Sequence, residues 1–158
     1  AKSAWDDPTL ADHERPLNGR GRLAAPRIAQ VLAAQQPLPQ LVLCSTAVRT
    51  RTTWELIAPA IAEIPVEYRA DLYHAESSTL RLRLQRVPDS ITSVLLIGHN
   101  PGLEEWFTEL TGLNEQLPTA ALAQITVPLK GWSELTATTR CRLEQIWRPR
   151  ELPDPLQS

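Results

Sequence analysis

Methionine is absent from this chain, and cysteine occurs only twice, at Cys44 and Cys141. Two widely separated cysteines could pair, but reduced thiols in a cytoplasmic protein are the expected state. No close His/Cys spacing proposes a metal site. No apolar run approaches the ~20 residues of a membrane-spanning helix, and no secretory leader is expected at the N-terminus. Charge of neither sign dominates: 16 Lys and Arg stand against 18 Asp and Glu, a net charge of −2. Composition therefore gives no electrostatic case for nucleic acid or an anionic membrane as partner. Repeats, linkers and low-complexity segments are also missing. The initiator methionine is missing too: the chain starts at Ala1, with no strand before Trp5-Asp6-Asp7-Pro8.

What is there reads as one globular domain. The 158 residues are 42% hydrophobic and 22% charged, an ordinary balance for a soluble fold with a proper core. The domain is expected over residues 1–150, with 151–158 as a tail that begins near Pro149. Residues 1–19 are polar and rich in Asp, Pro, Asn and Gly, so they read as loop. Ala24, Ile28, Val31 and Leu32 share one face of a helix over roughly 20–35, with Pro26 in its first turn or at a kink. Leu41 to Cys44 is a short buried strand. A second helix spans roughly 47–62, kinked at Pro59, and Val66-Glu67-Tyr68 is a weak strand.

Residues 79–87 fit two periods. Leu80, Leu82 and Leu84 alternate like a strand, while Leu80, Leu84 and Val87 fit a helix. Helix is preferred, capped by Ser77 or Ser78, because a parallel strand at 93–97 needs a crossover before it. Leu103, Trp106, Phe107 and Leu110 have i, i+3, i+4, i+7 spacing, a helix that ends near Gly112. Two further strands at 121–128 and 140–147 suit an antiparallel edge. The alternation predicts an α/β domain of three layers, α/β/α, with a mostly parallel sheet and helices on both faces.

Two strand-to-helix junctions carry the chemistry. In Val94-Leu95-Leu96-Ile97-Gly98-His99-Asn100-Pro101-Gly102, four apolar residues read as a strand buried on both faces. Asn100 reads as an N-cap and Pro101 as the first helical residue. His99 is left on the turn, at the carboxyl end of a sheet where ligands bind and beside a helix N-terminus that favours anions. The other junction runs from Leu41 through Cys44 into Ser45-Thr46-Ala47-Val48-Arg49. In a parallel sheet both strand ends point the same way, so Arg49 can approach His99. An Arg fork fits phosphoryl oxygens bidentately and stays charged, and a histidine can donate to such an oxygen or attack phosphorus. Together they point to phosphate.

These blocks resemble those of SixA-type phosphohistidine phosphatases, in the histidine phosphatase superfamily with its phosphoglycerate mutase-like fold. Ala1-Lys2-Ser3-Ala4-Trp5-Asp6-Asp7 is similar to the segment after the family's Arg-His signature. Arg15-Pro16-Leu17-Asn18 with Gly21 matches the next loop. Ser45 to Arg49 and Gly98 to Gly102 match the two phosphate-pocket blocks, and Leu117 to Ala121 is a weaker fifth match. The resemblance implies catalysis by Arg49 as one clamp arginine and by His99 as the second histidine. It implies no metal and no cofactor. It also implies that the nucleophilic histidine and its preceding arginine fall immediately before Ala1, on a first, central strand.

Other residues are candidates by position. Arg15, Asn18 and Lys2 are candidates for substrate binding, although Arg15 and Asn18 fit a loop-closing role equally well. Glu76, after Tyr73-His74-Ala75, is the best-placed candidate for a general acid. His13 reads as solvent-exposed and His74 as structural or surface. A weak acid suits phosphohistidine, whose imidazole leaving group can depart already protonated with a solution pKa near 6.5. The resemblance therefore implies hydrolysis through a phosphohistidine enzyme intermediate. The partner would be a phosphorylated protein carrying a phosphohistidine domain, or else a small phosphorylated substrate. The alternatives are a small-molecule phosphomonoesterase and a non-catalytic phosphate or phosphoprotein binder. Only about 50 residues separate Arg49 from His99, without an evident cap insertion, so the pocket should be open.

Overall fold

The computed structural model describes residues 10–153. The helices are α1 (Gly19–Ala33), α2 (Val48–Ile57), α3 (Ser77–Gln85) and α4 (Gly102–Thr111). The strands are β1 (Leu41–Ser45), β2 (Val66–Arg69), β3 (Val94–Ile97), β4 (Leu122–Thr126) and β5 (Arg142–Trp147). β1 pairs in parallel with β2 on one side and β3 on the other, in register from Val42↔Val66 and Leu41↔Val94. β4 and β5 form an antiparallel pair.

β1 is the spine, and every one of its five residues is buried. Successive strand side chains point to opposite faces, and β1 splits the core accordingly. Leu41 and Leu43 pack with Leu80 and Leu84 of α3 and Trp106 and Leu110 of α4. Val42 and Cys44 pack with Ala25, Ile28 and Leu32 of α1 and Trp54 and Ile57 of α2. Helices thus cover both faces of the parallel sheet, the three-layer arrangement that the alternation of elements predicts. The ambiguity at 79–87 is settled by the same packing. Leu80 and Leu84, four apart on one helical face, are buried, whereas Leu82 is 46% exposed. Cys44 and Cys141 are both buried and free, and lie in opposite core clusters.

Several sequence expectations need correction. Of the two placements expected for Pro26, the first turn is excluded, since it lies well inside α1. At Pro59 the second helix gives way to a 3-10 turn over Ala58–Ala60. Ser77 and Ser78 are within α3; its N-cap is Glu76, with no side-chain cap bond. β3 is not buried on both faces: only Leu95 is fully buried. Its one partner strand among the described residues is β1, and its other edge faces a groove shared with β4. The expected tail is partly folded: Arg27 donates to the Pro149 carbonyl at 3.3 Å, and Leu152 packs against the α1/α2 core. No helix among the described residues is long and apolar enough to cross a membrane.

Truncating Leu43, 1% exposed at the centre of β1, should cost about 2–5 kcal/mol. Leu82→Ala on the open face of α3 should stay within about 0.5 kcal/mol. Urea denaturation of the two variants beside the parent chain checks both values.

Candidate active site

Parallel pairing puts the carboxyl ends of β1, β2 and β3 at one end of the sheet, and the polar cluster grows from the segments that leave those ends. Register Cys44↔Ile97 sets Ser45 alongside the turn that comes after β3. His99 Nε2 and Ser45 Oγ are 2.8 Å apart. Arg49, in the first turn of α2, sends its guanidinium across the same end and is only 7% exposed. Its Nη2 lies 3.3 Å from His99 Nδ1. The approach of Arg49 to His99 predicted from the two junctions is present.

The hydrogen-bond pattern fixes the form of His99. Burial, followed by the adjacent Arg49 charge, pushes its pKa down to about 3, so the ring is neutral near pH 7. Arg49 can only donate, so Nδ1 accepts and the ring proton is assigned to Nε2, which donates to Ser45 Oγ. Ser45 Oγ also accepts the Ala47 backbone N–H at 3.2 Å. The strand end thereby orients the imidazole.

The third segment was not anticipated. β2 ends at Arg69, and a 3-10 turn over Ala70–Leu72 delivers Tyr73 and His74 to the cluster. His74 Nε2 lies 3.5 Å from Arg49 Nη2 and 3.3 Å from Asp12 Oδ2. The rings of Tyr73 and His74 stack at 4.1 Å, and His74 meets His99 edge-on at 5.5 Å. His74 holds a φ of 49°, uncommon for a residue with a side chain. Gly102 secures this segment against α4: a Cβ there would stand 1.9 Å from the Ala75 carbonyl oxygen. Only glycine lets these two backbones approach so closely.

Asp12 closes the cluster from the N-terminal side. Arg49 Nη1 donates to its carbonyl at 2.8 Å, and Nη2 to its Oδ2 at 3.0 Å. The Tyr73 hydroxyl donates to that same Oδ2. The Tyr73 bond, with Arg49 behind it, holds the Asp12 carboxyl below the usual range. Burial and the Asp12 carboxylate raise the Tyr73 phenol in turn.

The remaining sequence candidates are spread around this cluster. Arg15 is buried directly after the Asp12–Glu14 turn, its N–H bonded to the Asp12 carbonyl at 3.1 Å. Asn18 caps α1, its side-chain oxygen accepting the Gly21 N–H at 3.0 Å. Its carboxamide oxygen therefore serves the loop-closing role. Lys2 lies outside the described residues. Glu76 is exposed at the start of α3 and makes no side-chain hydrogen bond to the cluster among the described residues; His74, two residues earlier, is the side chain that enters it. His13 is not simply solvent-exposed: Nε2 meets Thr46 Oγ1 at 2.8 Å, and its ring abuts Tyr73 edge-on. Asn100 sits one place before the N-cap of α4, yet its Oδ1 accepts the Glu104 N–H at 3.2 Å and does a cap's work. No group of three or more His, Cys, Asp or Glu side chains among the described residues is arranged to hold a metal ion. Asp12, Tyr73 and His74 were missed. The available signal was that a third parallel strand also ends at this end of the sheet.

The cluster makes stability acid-sensitive. His99 titrates at about 3 when folded, against 6.5 for a free imidazole, and the Asp12 carboxyl is also lowered. The unfolded chain therefore binds protons more readily, and stability present above about pH 6.5 is lost as pH falls toward 3. Urea midpoints measured between pH 7 and pH 4 should decline, and His99→Gln should flatten the decline.

No family model matches this chain. An uncharacterized protein of Mycobacterium tuberculosis is 35% identical over 138 residues, covering 80% of this chain and 85% of that protein. Two solved structures, each provisionally designated the phosphohistidine phosphatase SixA, share its fold. The one from Agrobacterium tumefaciens is 30% identical, with a TM-score of 0.76 over 94% of this chain and 93% of its own. The one from Nakamurella multipartitia is 27% identical, with a TM-score of 0.78 over 89% and 88%. With the Ser45–Arg49 and Gly98–Gly102 blocks brought together at one end of a shared three-layer fold, the chain belongs to the SixA-type family of the histidine phosphatase superfamily.

Proposed function

We propose that this protein is a phosphatase that takes phosphoryl groups from phosphohistidine side chains of other proteins. The observation that carries this reading is the meeting of Arg49 and a neutral His99 at 3.3 Å, at the carboxyl ends of two neighbouring parallel strands. Arg49 offers a permanent charge and a planar fork for phosphoryl oxygens. His99, uncharged near pH 7, can bond a phosphoryl oxygen once its one ring proton moves to Nδ1 and Ser45 donates to Nε2 in its place. Groups fixed before the reaction stabilise the charge that builds on a phosphoryl group in transfer.

The nucleophile belongs to the proposal. A groove runs beside β3 and is lined on both faces of the sheet by Leu95, Leu96, Leu103, Leu117, Ala121 and Leu122. It measures about 290 Å³ on the α1/α2 side and about 210 Å³ on the α3/α4 side. Its apolar walls, and the edge of β3 that pairs with no strand among the described residues, suit one more strand, whose carboxyl end would lie beside His99. We place the Arg-His signature there, upstream of Ala1. The nucleophilic histidine would form a P–N bond as the substrate's P–N bond breaks and its imidazole leaves. Water would then form a P–O bond as the enzyme's P–N bond breaks, releasing inorganic phosphate.

A protein-borne substrate is supported by the connection between Arg49 and His99. That stretch is made mainly of α2, β2, α3 and β3, all parts of the layered core, with short connections and no inserted cap domain. His74 is also exposed at the mouth.

With the chain extended through its Arg-His signature, Arg49→Ala and His99→Ala should each lower kcat/KM on a phosphohistidine peptide by about 10²–10³-fold. Parent rates in either variant would remove that residue from the site. Faster turnover of sugar or nucleotide phosphates than of the peptide would make the protein a small-molecule phosphomonoesterase. Phosphate binding without turnover would make it a binder.

A further inference from the structure

Arg49 and His99 leave unexplained why two donors from two segments converge on one carboxylate oxygen, with a third polar side chain beside them. Asp12 Oδ2 accepts from Arg49 Nη2 at 3.0 Å and from the Tyr73 hydroxyl, and His74 Nε2 stands 3.3 Å away. An oxygen ringed by a guanidinium, a phenol and an imidazole has the surroundings of a bound phosphoryl oxygen. We propose that Tyr73 and His74 complete, with Arg49, the seat of one phosphoryl oxygen, and that the Asp12 carboxylate is an internal anion displaced when phosphate enters. The inference rests on the reading of Arg49 as a phosphate clamp.

The donors are anchored and the acceptor is peripheral. Arg49 is buried at the start of α2, and Thr50 and Thr53 around it bond back to the local backbone. Tyr73 comes directly after the fully buried Leu72, and the contact between Gly102 and Ala75 pins the same segment to α4. Asp12, by contrast, opens a three-residue 3-10 turn with no side-chain cap, and its side chain is 31% exposed. A movement of this short turn can withdraw the carboxylate without disturbing the sheet. The exchange conserves the chemistry: one charged acceptor replaces another, so no donor loses its partner. A phosphoryl group brings more oxygens and more charge than the carboxylate, so it makes more of the strong charge-assisted bonds. The two anions cannot share the seat, because like charges in contact disfavour each other's ionised forms. The arrangement also gives selectivity, since a weaker anion would not displace Asp12.

Calorimetric titration of the full chain with inorganic phosphate near neutral pH tests the proposal. Asp12→Asn keeps the shape and removes the competing charge, and should tighten phosphate about three- to fivefold, as expected for loss of a partly exposed ion pair. In the Asp12→Asn background, Tyr73→Phe reads the phenol as a phosphate donor alone and should weaken binding by about the same factor. Unchanged or weaker binding in Asp12→Asn, or no effect of Tyr73→Phe in that background, overturns the proposal. NMR of the parent chain gives a readout that no variant has to survive. Phosphate should shift the backbone amides of residues 12–14 together with the Arg49 side chain, and a shift of Arg49 without them is equally fatal. Arg49→Ala separates the two readings. If it binds phosphate as tightly as the parent, the clamp itself is wrong; if it loses binding while Asp12→Asn fails to gain, only the internal anion is wrong.

Discussion

A charge held nearly out of water at the end of a buried strand governs this site. Arg49 cannot shed its proton, and its position in the first turn of α2 leaves it 7% exposed. Such a group must be surrounded by acceptors. The Asp12 carbonyl and carboxylate take two of its N–H groups, and the nitrogens of His74 and His99 stand close to a third. This environment sets the states of its neighbours. His99 gives up its own charge, the Asp12 carboxyl is held below the usual carboxylate range, and the Tyr73 phenol is secured as a donor. Burial acts first on His99 and the Tyr73 hydrogen bond first on Asp12; the fixed cation adds to both, and it leaves a positive seat for which an anion is the natural occupant.

The fold supplies that cation with its company through strand direction alone. Parallel strands put every carboxyl end on one side, so α2, the segment after β2 and the turn after β3 leave the sheet side by side. β1, buried along its length and held from both faces, sets the height at which they leave. Gly102 tightens the arrangement by letting the start of α4 touch the backbone at Ala75. On the opposite face, burial against α1 and α2 pushes the Cys44 thiol up to about 12 and keeps it chemically quiet.

Residues whose roles are local were legible. Leu103, Trp106, Phe107 and Leu110 declare α4 through their spacing, and the Gly112 C-cap closes it with a φ of 71°. Arg49 and His99 were found because each stands directly after a run of apolar strand residues. Other residues were harder to place. Asn18 fits substrate contact or loop closing by its sequence neighbours and Glu76 an acid role, and both occupy helix N-cap positions. Whether a polar residue faces a backbone N–H or a ligand is decided within one turn of chain, below what pattern reading resolves. β3 was read as buried on both faces because its side chains are apolar, but apolarity does not say how many strands flank it.

The sequence by itself determined the order of elements, the three layers, and the two junctions that bear Arg49 and His99, because periodicity, turn residues and strand polarity are properties of short segments. Tertiary structure alone decided that Asp12, Tyr73 and His74 join them. Asp12 lies 37 residues from Arg49 and 61 from Tyr73 along the chain, and no local rule couples residues so far apart. Their meeting depends on where β2 pairs with β1 and how the turn at Asp12–Glu14 folds over α2, which are outcomes of packing the whole core.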